Sequence, residues 1–309
     1  MTEVILENGL NGQFSWGDIN WRRAHEIVRN LRGRIFRARL LGLWKQLLRL
    51  QELMKRCRSN LLLSIRQITQ VNTGKRTAGI DKEVIETPAQ RVKLASTWEI
   101  PKAKPAKRIY IPKANGKKRP QGIPLRSNRP RRPVRDRVAQ AIVKNALEPE
   151  WEAMFEANSY GFRPGRGCHD AIAQCFQRLK GDSKTKTGKW RKNDKWVLDA
   201  DIKGFFDNID HKSIQTATRE DSLISGWLKA GFIEAHRGTE AQRTSTMDER
   251  FKPLSINPPC RSASARVENK KGYSPTEKGT PQGGVISPLL ANIGLHGLED
   301  YITACNPIA

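Results

Sequence analysis

What most constrains this chain is a helical hydrophobic period running from Trp21 to about Thr69, with arginine on the opposite faces. Ile27, Val28, Leu31 and Ile35 recur at i, i+3 and i+4 spacing, and Leu43, Leu47, Leu50 and Met54 repeat the pattern. That spacing lines one face of a helix. It predicts helices broken near Gly42, with Ser59 placed to cap a third that carries Leu62, Leu63 and Ile65. Arg22, Arg23, Arg29, Arg32, Arg34, Arg37, Arg39, Arg56, Arg58 and Arg66 lie away from the apolar stripe. Any one of them could simply be solvated. As a stripe they favour contact with RNA or DNA phosphate.

Charge bears on that choice. The 309 residues carry 56 Lys and Arg against 31 Asp and Glu, a net charge of +25. Such a charge concentrates polyanions, and neutralising phosphates releases counterions, giving strong, salt-dependent binding. Nucleic acid is therefore the natural partner. An anionic membrane is the competing one, but no long apolar segment or lipid-anchor motif accompanies the charge, so no membrane is expected. MTEVILENGL lacks the basic-then-apolar layout of a secretory signal. Cys57, Cys168, Cys175, Cys260 and Cys305 are scattered without a Cys-x-x-Cys pair. That argues for reduced thiols in a cytoplasmic protein and against a zinc knuckle.

VNTGKRTAGID (Val71 to Asp81) is a Gly/Thr-rich loop holding Lys75. RIYIPKANGKKRPQGIP (Arg108 to Pro124) has the layout of a β-hairpin with Asn-Gly in its turn. Lys113, Lys117, Lys118 and Arg119 crowd it, so it reads equally as a lid over a triphosphate or as a basic surface hairpin. A helix is predicted from about Val134 to Leu147. SYGFRPGRG (Ser159 to Gly167) then enters a helix near Cys168 to Leu179, and Arg163 and Arg166 among its glycines form either an anion site or a plain turn. Residues 181–194 read as a polar linker. The stretch from about Ala235 to Lys271 has no hydrophobic period and reads as a long exposed insertion. GTPQGGVISPLLANIGLHGLEDYI predicts a glycine turn, then a helix burying Leu289, Leu290, Ile293, Leu298 and Ile302.

The remaining stretch, VLDADIKGFFDNIDH, gathers Asp199, Asp201, Asp207 and Asp210. WVLDADI reads as a buried strand, on which Asp199 and Asp201 share a face. Carboxylates there suit Mg²⁺, which is held by one or two of them plus substrate phosphates, and paired ions clamp the attacking and leaving oxygens in phosphoryl transfer. The other reading is that these aspartates cap the following helix or pair with lysines.

Taken together and in this order, WVLDADIKGFFDNIDH, RIYIPKANGKKRPQGIP, SYGFRPGRG and GTPQGGVISPLLANIGLHGLE resemble the reverse transcriptase domain of bacterial group II intron-encoded proteins, the maturases. WLKAGFIE (Trp227 to Glu234) and the amino-terminal segment with Asn72 to Lys75 and Gly79 to Asp81 share the likeness. The resemblance implies an α+β right-hand polymerase with fingers and a partial palm, an antiparallel palm sheet covered by helices. It divides the chain into a basic helical extension (1–80), fingers and the start of the palm (81–180), and a partial palm with an insertion near 235–271 (181–309). It implies an RNA-directed DNA polymerase that binds group II intron RNA, aids splicing and mobility, and uses template-primer nucleic acid, dNTPs and Mg²⁺, with a DNA target in the full-length protein.

Residue by residue, Asp201 matches the family's first catalytic aspartate, with the backbone carbonyl of Ile202 as a second metal contact. Phe206 matches the aromatic that excludes a ribose 2′-hydroxyl, and Gln282 the residue near the incoming nucleotide and primer end. Lys113 and Arg119 match cations that approach the triphosphate. RNA contacts are expected from Arg22, Arg23, Arg29, Arg34, Lys75, Arg163 and Arg166. Two departures stand out: insertions near 126–133 and 235–271, and the lack of any Asp-Asp pair where the family carries Tyr-Ala-Asp-Asp. The chain by itself is therefore expected not to synthesise DNA. The alternative reading is a non-catalytic RNA-binding fragment or maturase-only remnant.

Overall fold

The amino-terminal period folds as its spacing demands. The structure, a computed structural model, describes residues 15–72, 84–103, 106–112, 118–124, 133–180, 182–184, 190–192, 197, 199–202, 204–234, 273–274, 276–280 and 284–305. After a 3-10 turn at Trp16–Asp18 come α1 (Trp21–Leu40), α2 (Trp44–Arg56) and α3 (Arg58–Arg66), the last running into a π-turn at Gln67–Val71. Asn20 caps α1 by accepting from the Arg23 N–H at 2.9 Å. Gly42, at φ 66°, turns the chain after α1. Val28, Leu31 and Ile35 then close on Leu47, Leu50 and Met54 in one buried cluster.

Ser59 does not cap α3. The cap position is Cys57, without a side-chain bond, and Ser59 lies fully buried inside the helix. Its neighbours Leu61, Leu62 and Ile65 are drawn into the core, which starts the helix earlier than local chemistry alone would.

Further along are α4 (Pro88–Ser96), with a Thr87–Gln90 capping box, and the hairpin β1 (Ala106–Pro112) and β2 (Lys118–Pro124). The hairpin is in antiparallel register from Ala106 opposite Pro124 to Pro112 opposite Lys118, so the two runs pair as expected, while the Asn-Gly pair between them lies outside the described residues. α5 (Pro133–Glu152) follows and is the central element. Its residues enter all three buried clusters: Val138 and Ile142 in one, Ala146 in the second, Val143, Leu147 and Trp151 in the third. The helix runs a turn beyond the predicted end, through Pro149. Glu148, Glu150 and Trp151 are buried there, and that packing outweighs the lost backbone bond.

The chain continues through α6 (Cys168–Leu179), β3 (Asp182–Lys184), β4 (Trp190–Lys192), α7 (Phe205–Asn208), α8 (His211–Ala217), α9 (Ser222–Lys229), β5 (Phe232–Glu234), β6 (Tyr273–Ser274), α10 (Ser287–Leu295) and α11 (Leu298–Cys305). One sheet has the order β2-β1-β5-β6, with β1 and β5 parallel and the other pairs antiparallel; β3 and β4 form a separate ribbon. The four-stranded sheet is thus mixed.

Two sequence expectations are corrected. Val197 and Asp199–Ile202 are not a buried strand: Val197 is 67% and Ile202 48% exposed. A strand needs a ladder partner for its backbone groups, and no described strand runs beside this segment. Leu298 and Ile302 are likewise 45% and 40% exposed, because α10 ends at Leu295 and Gly297, at φ 90°, starts α11 in a new direction. Leu289, Leu290 and Ile293 are buried as expected. The 235–271 insertion lies outside the described residues, and no described helix is long and apolar enough to cross a membrane.

Candidate active site and nucleic-acid face

Two motifs far apart in sequence are clasped together by backbone. The Gly279 N–H donates to the Ile209 carbonyl and the Thr280 N–H to the Phe206 carbonyl, each at 2.7 Å. His211 Nε2 lies 2.7 Å from the Gly279 carbonyl; since a carbonyl only accepts, Nε2 carries the proton. Asp210 and Lys278 form an antiparallel bridge beside them. Gly279 is required here: φ is 85°, and an added Cβ would sit 2.7 Å from both the Phe206 and Asp207 carbonyl oxygens. The glycine turn of GTPQGG therefore rests on the backbone of KGFFDNIDH.

Phe206 is half-buried beside the core of α5, α8, α9 and α10, edge-on to Phe205 at 5.9 Å between ring centroids. Phe162, from SYGFRPGRG, meets it edge-on at 6.4 Å from a left-handed backbone at φ 58°. A third motif thus reaches the same place.

The aspartates divide. Asp210 is a helix cap, accepting from the Ser213 N–H at 2.8 Å and Oγ–H at 2.9 Å. Those bonds, the backbone one first, hold its carboxyl below the usual range despite a small opposing desolvation. Asp207 sits in α7. Asp199 and Asp201 are exposed, just before the left-handed Gly204 that starts α7. No group of three His, Cys, Asp or Glu side chains gathers among the described residues. An exposed carboxylate with the adjoining Ile202 carbonyl suits an ion shared with substrate phosphates, not an all-protein cage.

The basic residues divide too. Arg22, Arg29 and Arg34 are exposed, and Arg22, His25, Glu26 and Arg29 line one groove along α1. Arg23 is exposed and pairs with Glu26 at 3.0 Å. Other members of the stripe turn to structure: Arg32 pairs with Glu148 at 2.7 Å, Arg39 and Arg66 stack on Trp44 and Trp21, and Arg58 donates to the Ala95 carbonyl.

Arg163 is a correction to the anion-site expectation. Its guanidinium is buried, paired with Glu152 at 2.9 Å, bonded to the Glu156 and Ser159 carbonyls, and over the Phe155 ring. A cation so engaged holds the loop and has no donor directed at a phosphate. Arg166, half-exposed, bonds the Ala157 carbonyl at 2.5 Å and lies over Tyr160. Lys75, Lys113 and Gln282 lie outside the described residues; of Arg119 the backbone is described, opposite Ile111 in the hairpin.

Sequence reasoning missed His211, Phe162 and the role of Gly279. Its available signals were the His that ends DNIDH and a glycine directly before Thr-Pro.

Comparison with known families decides what this arrangement belongs to. The family described as the N-terminal domain of reverse transcriptase matches residues 16–98, and that described as reverse transcriptase (RNA-dependent DNA polymerase) matches residues 111–306. The chain belongs to the reverse transcriptase family. Among relatives of this reverse transcriptase chain, Protein YkfC of Escherichia coli is 31% identical over 76% of the chain. The group II intron-encoded protein LtrA of Lactococcus lactis is also 31% identical, over 72% of it. A nuclear intron maturase of Arabidopsis thaliana is 25% identical over 55%. The chain spans 52% of YkfC, 29% of LtrA and 23% of that maturase.

Proposed function

We propose that this chain is the amino-terminal part of a group II intron reverse transcriptase and maturase, an RNA-directed DNA polymerase that binds intron RNA and aids splicing and mobility. The observation that carries this is the clasp. The backbones of Phe206 and Ile209 hold Gly279 and Thr280, and Phe162 meets the Phe206 ring, so three motifs share one site. In this reading the hairpin and its sheet belong to the fingers of a right hand, and a palm sheet completes the site. Asp201 and the Ile202 carbonyl hold Mg²⁺ together with the triphosphate; when bound, the ion neutralises phosphate charge and orients the reacting oxygens. Phe206 excludes a 2′-hydroxyl, Gln282 lies near the nucleotide, and Lys113 and Arg119 approach its phosphates. Arg22, Arg23, Arg29, Arg34, Lys75 and Arg166 contact RNA phosphate.

A second reading is a non-catalytic RNA-binding remnant, for which the exposed Arg22, Arg29 and Arg34 suffice and no metal at Asp201 is needed. Both readings expect no product when the chain alone is given template-primer, dNTPs and Mg²⁺. They differ in Mg²⁺-dependent photocrosslinking of dTTP to the chain on template-primer. The polymerase reading expects a label that Asp201→Asn abolishes and a Phe206→Ala variant that also accepts UTP; a label indifferent to Asp201→Asn would sink it. Intron RNA binding should weaken steeply with salt. Arg29→Gln and Arg34→Gln should each reduce the log–log slope by about 1, whereas Arg163→Gln should loosen the 159–167 loop and leave the slope unchanged.

A further inference from the structure

The tip of the α1–α2 hairpin presents an apolar surface that the site does not use. α2 buries Leu47, Leu50 and Met54 on its inner face, yet Leu43, Trp44 and Leu48 on its outer side are 46%, 48% and 47% exposed. Leu40 and Leu41, at the turn, are 60% and 70% exposed, and Phe36 lies one helical turn before Leu40. The turn is tight, since the Leu43 N–H bonds the Ala38 carbonyl at 2.9 Å and the Trp44 N–H the Gly42 carbonyl at 2.9 Å, which brings the end of α1 and the start of α2 together. Exposed clusters of this kind mark contact surfaces. Arg34, Arg37, Lys45 and Arg49 are exposed around it.

A basic rim around leucines selects a partner with apolar side chains and carboxylates. It works against a second copy, whose own basic rim would face it, and leucines offer a nucleic acid nothing to pair with. The Trp44 ring, which could stack a base, already lies against the Arg39 and Arg219 guanidiniums at 4.5 and 5.4 Å.

We propose that this surface is the docking site of the chain's own amino-terminal segment, residues 2–14. Of the stretches outside the described residues, only this one is net negative: it has Glu3 and Glu7, no Lys or Arg, and Val4, Ile5, Leu6, Leu10 and Phe14. Length permits it. Phe36 lies about 22 Å, and Leu41 about 30 Å, along α1 from Trp21 at 1.5 Å per residue. Residues 4–6 are separated from Ser15 by a reach of roughly 30–40 Å at 3.3–3.6 Å per residue. Attachment raises the effective concentration of the segment well above that of a free peptide.

The test compares the full chain with a chain of residues 15–309, probed with the dye ANS and with a synthetic peptide of residues 1–14. Removal of the segment should raise ANS fluorescence at least threefold, and the peptide should reverse the rise. A peptide with Glu3→Lys and Glu7→Lys should bind at least tenfold more weakly. Leu41→Ser with Leu43→Ser in the 15–309 chain should abolish peptide binding; both side chains are exposed and serine suits the cap position, so the fold is retained. Equal ANS signals in the two chains, or no peptide binding at millimolar concentration, overturns the proposal. So does either rival occupant: the serine pair lowering RNA affinity of the full chain tenfold, or converting a dimer of it to monomer.

Discussion

Replacing Gly279 by alanine tests the clasp most directly. The position has φ 85°, and the new Cβ would lie 2.7 Å from two backbone carbonyl oxygens, those of Phe206 and Asp207. Neither oxygen can rotate away as a side chain could, so the turn must lift. Lifting it gives up the Gly279 and Thr280 N–H bonds and the His211 bond to the Gly279 carbonyl. Three hydrogen bonds at about 1 kcal/mol each, plus the left-handed penalty for a residue with a Cβ, give a loss of about 4–5 kcal/mol. That is a large part of a typical domain stability of about 5–15 kcal/mol. Urea unfolding reads the loss, and amide hydrogen exchange at Thr280 locates it. Gly204→Ala is the control: φ is 61°, but the Cβ meets only the Asn208 side-chain nitrogen, at 3.2 Å, so about 1–2 kcal/mol is expected. If Gly279→Ala costs no more than Gly204→Ala and leaves the Thr280 amide protected, the clasp does not hold these motifs together.

Other perturbations probe the supports of the site. Glu150 is buried between Gln51, at 2.6 Å, and the Arg219 guanidinium. Arg219→Met should therefore cost about 3 kcal/mol by stranding a buried charge, while Arg56→Met, in an exposed pair with Glu52, should cost under ~1 kcal/mol; equal losses in denaturant midpoints would contradict the difference in burial. Burial would raise the Glu156 carboxyl, but hydrogen bonds from its own N–H, the Gly297 N–H and His296, with the His296 charge, outweigh this and hold it below the ordinary value. Its stabilisation is thus present above the usual glutamate range and lost as pH falls through the lowered value. Unfolding measured from pH 7 to pH 3 should show an acid limb that Glu156→Gln flattens.

The amino-terminal helices were legible because their stripe is a local period and their core is made largely of that stripe. The hairpin was legible because two strand-like runs flank an Asn-Gly pair, and β1 pairs with β2 as expected. Legibility failed where a residue's fate depends on a distant partner. Arg163 reads like any loop arginine, and its burial depends on Glu152 on α5. Val197 to Ile202 has strand composition, but composition supplies no ladder. Asp201 was singled out by its place at the end of an apolar run and by the resemblance, and its exposed surroundings do not distinguish it from Asp199. Gly279 and His211 were missed for a related reason: a left-handed glycine and a buried histidine become informative only when the 204–211 turn and the 278–280 segment lie against each other.

The long stretch between β5 and β6 looked like a threat to the site, and the pairing explains why it need not be. Phe232 lies opposite Ser274 and Ile233 opposite Tyr273, so the end of β5 and the start of β6 lie side by side. Thr276, just beyond β6, bonds the Leu228 carbonyl on α9 at 2.7 Å, and the clasp begins at Lys278. The clasp is therefore referenced to α9 and to the 204–211 turn, not to the stretch itself. Closing a loop costs entropy that grows only with the logarithm of its length. Replacing residues 235–272 by a turn about one-sixth as long should on that scale shift stability by no more than about 1.6 kcal/mol. Thr280 amide protection should not fall, and RNA affinity should keep its salt slope unless the basic residues removed contact RNA. A shortened chain that lost Thr280 protection would show that the stretch itself holds the glycine turn in place.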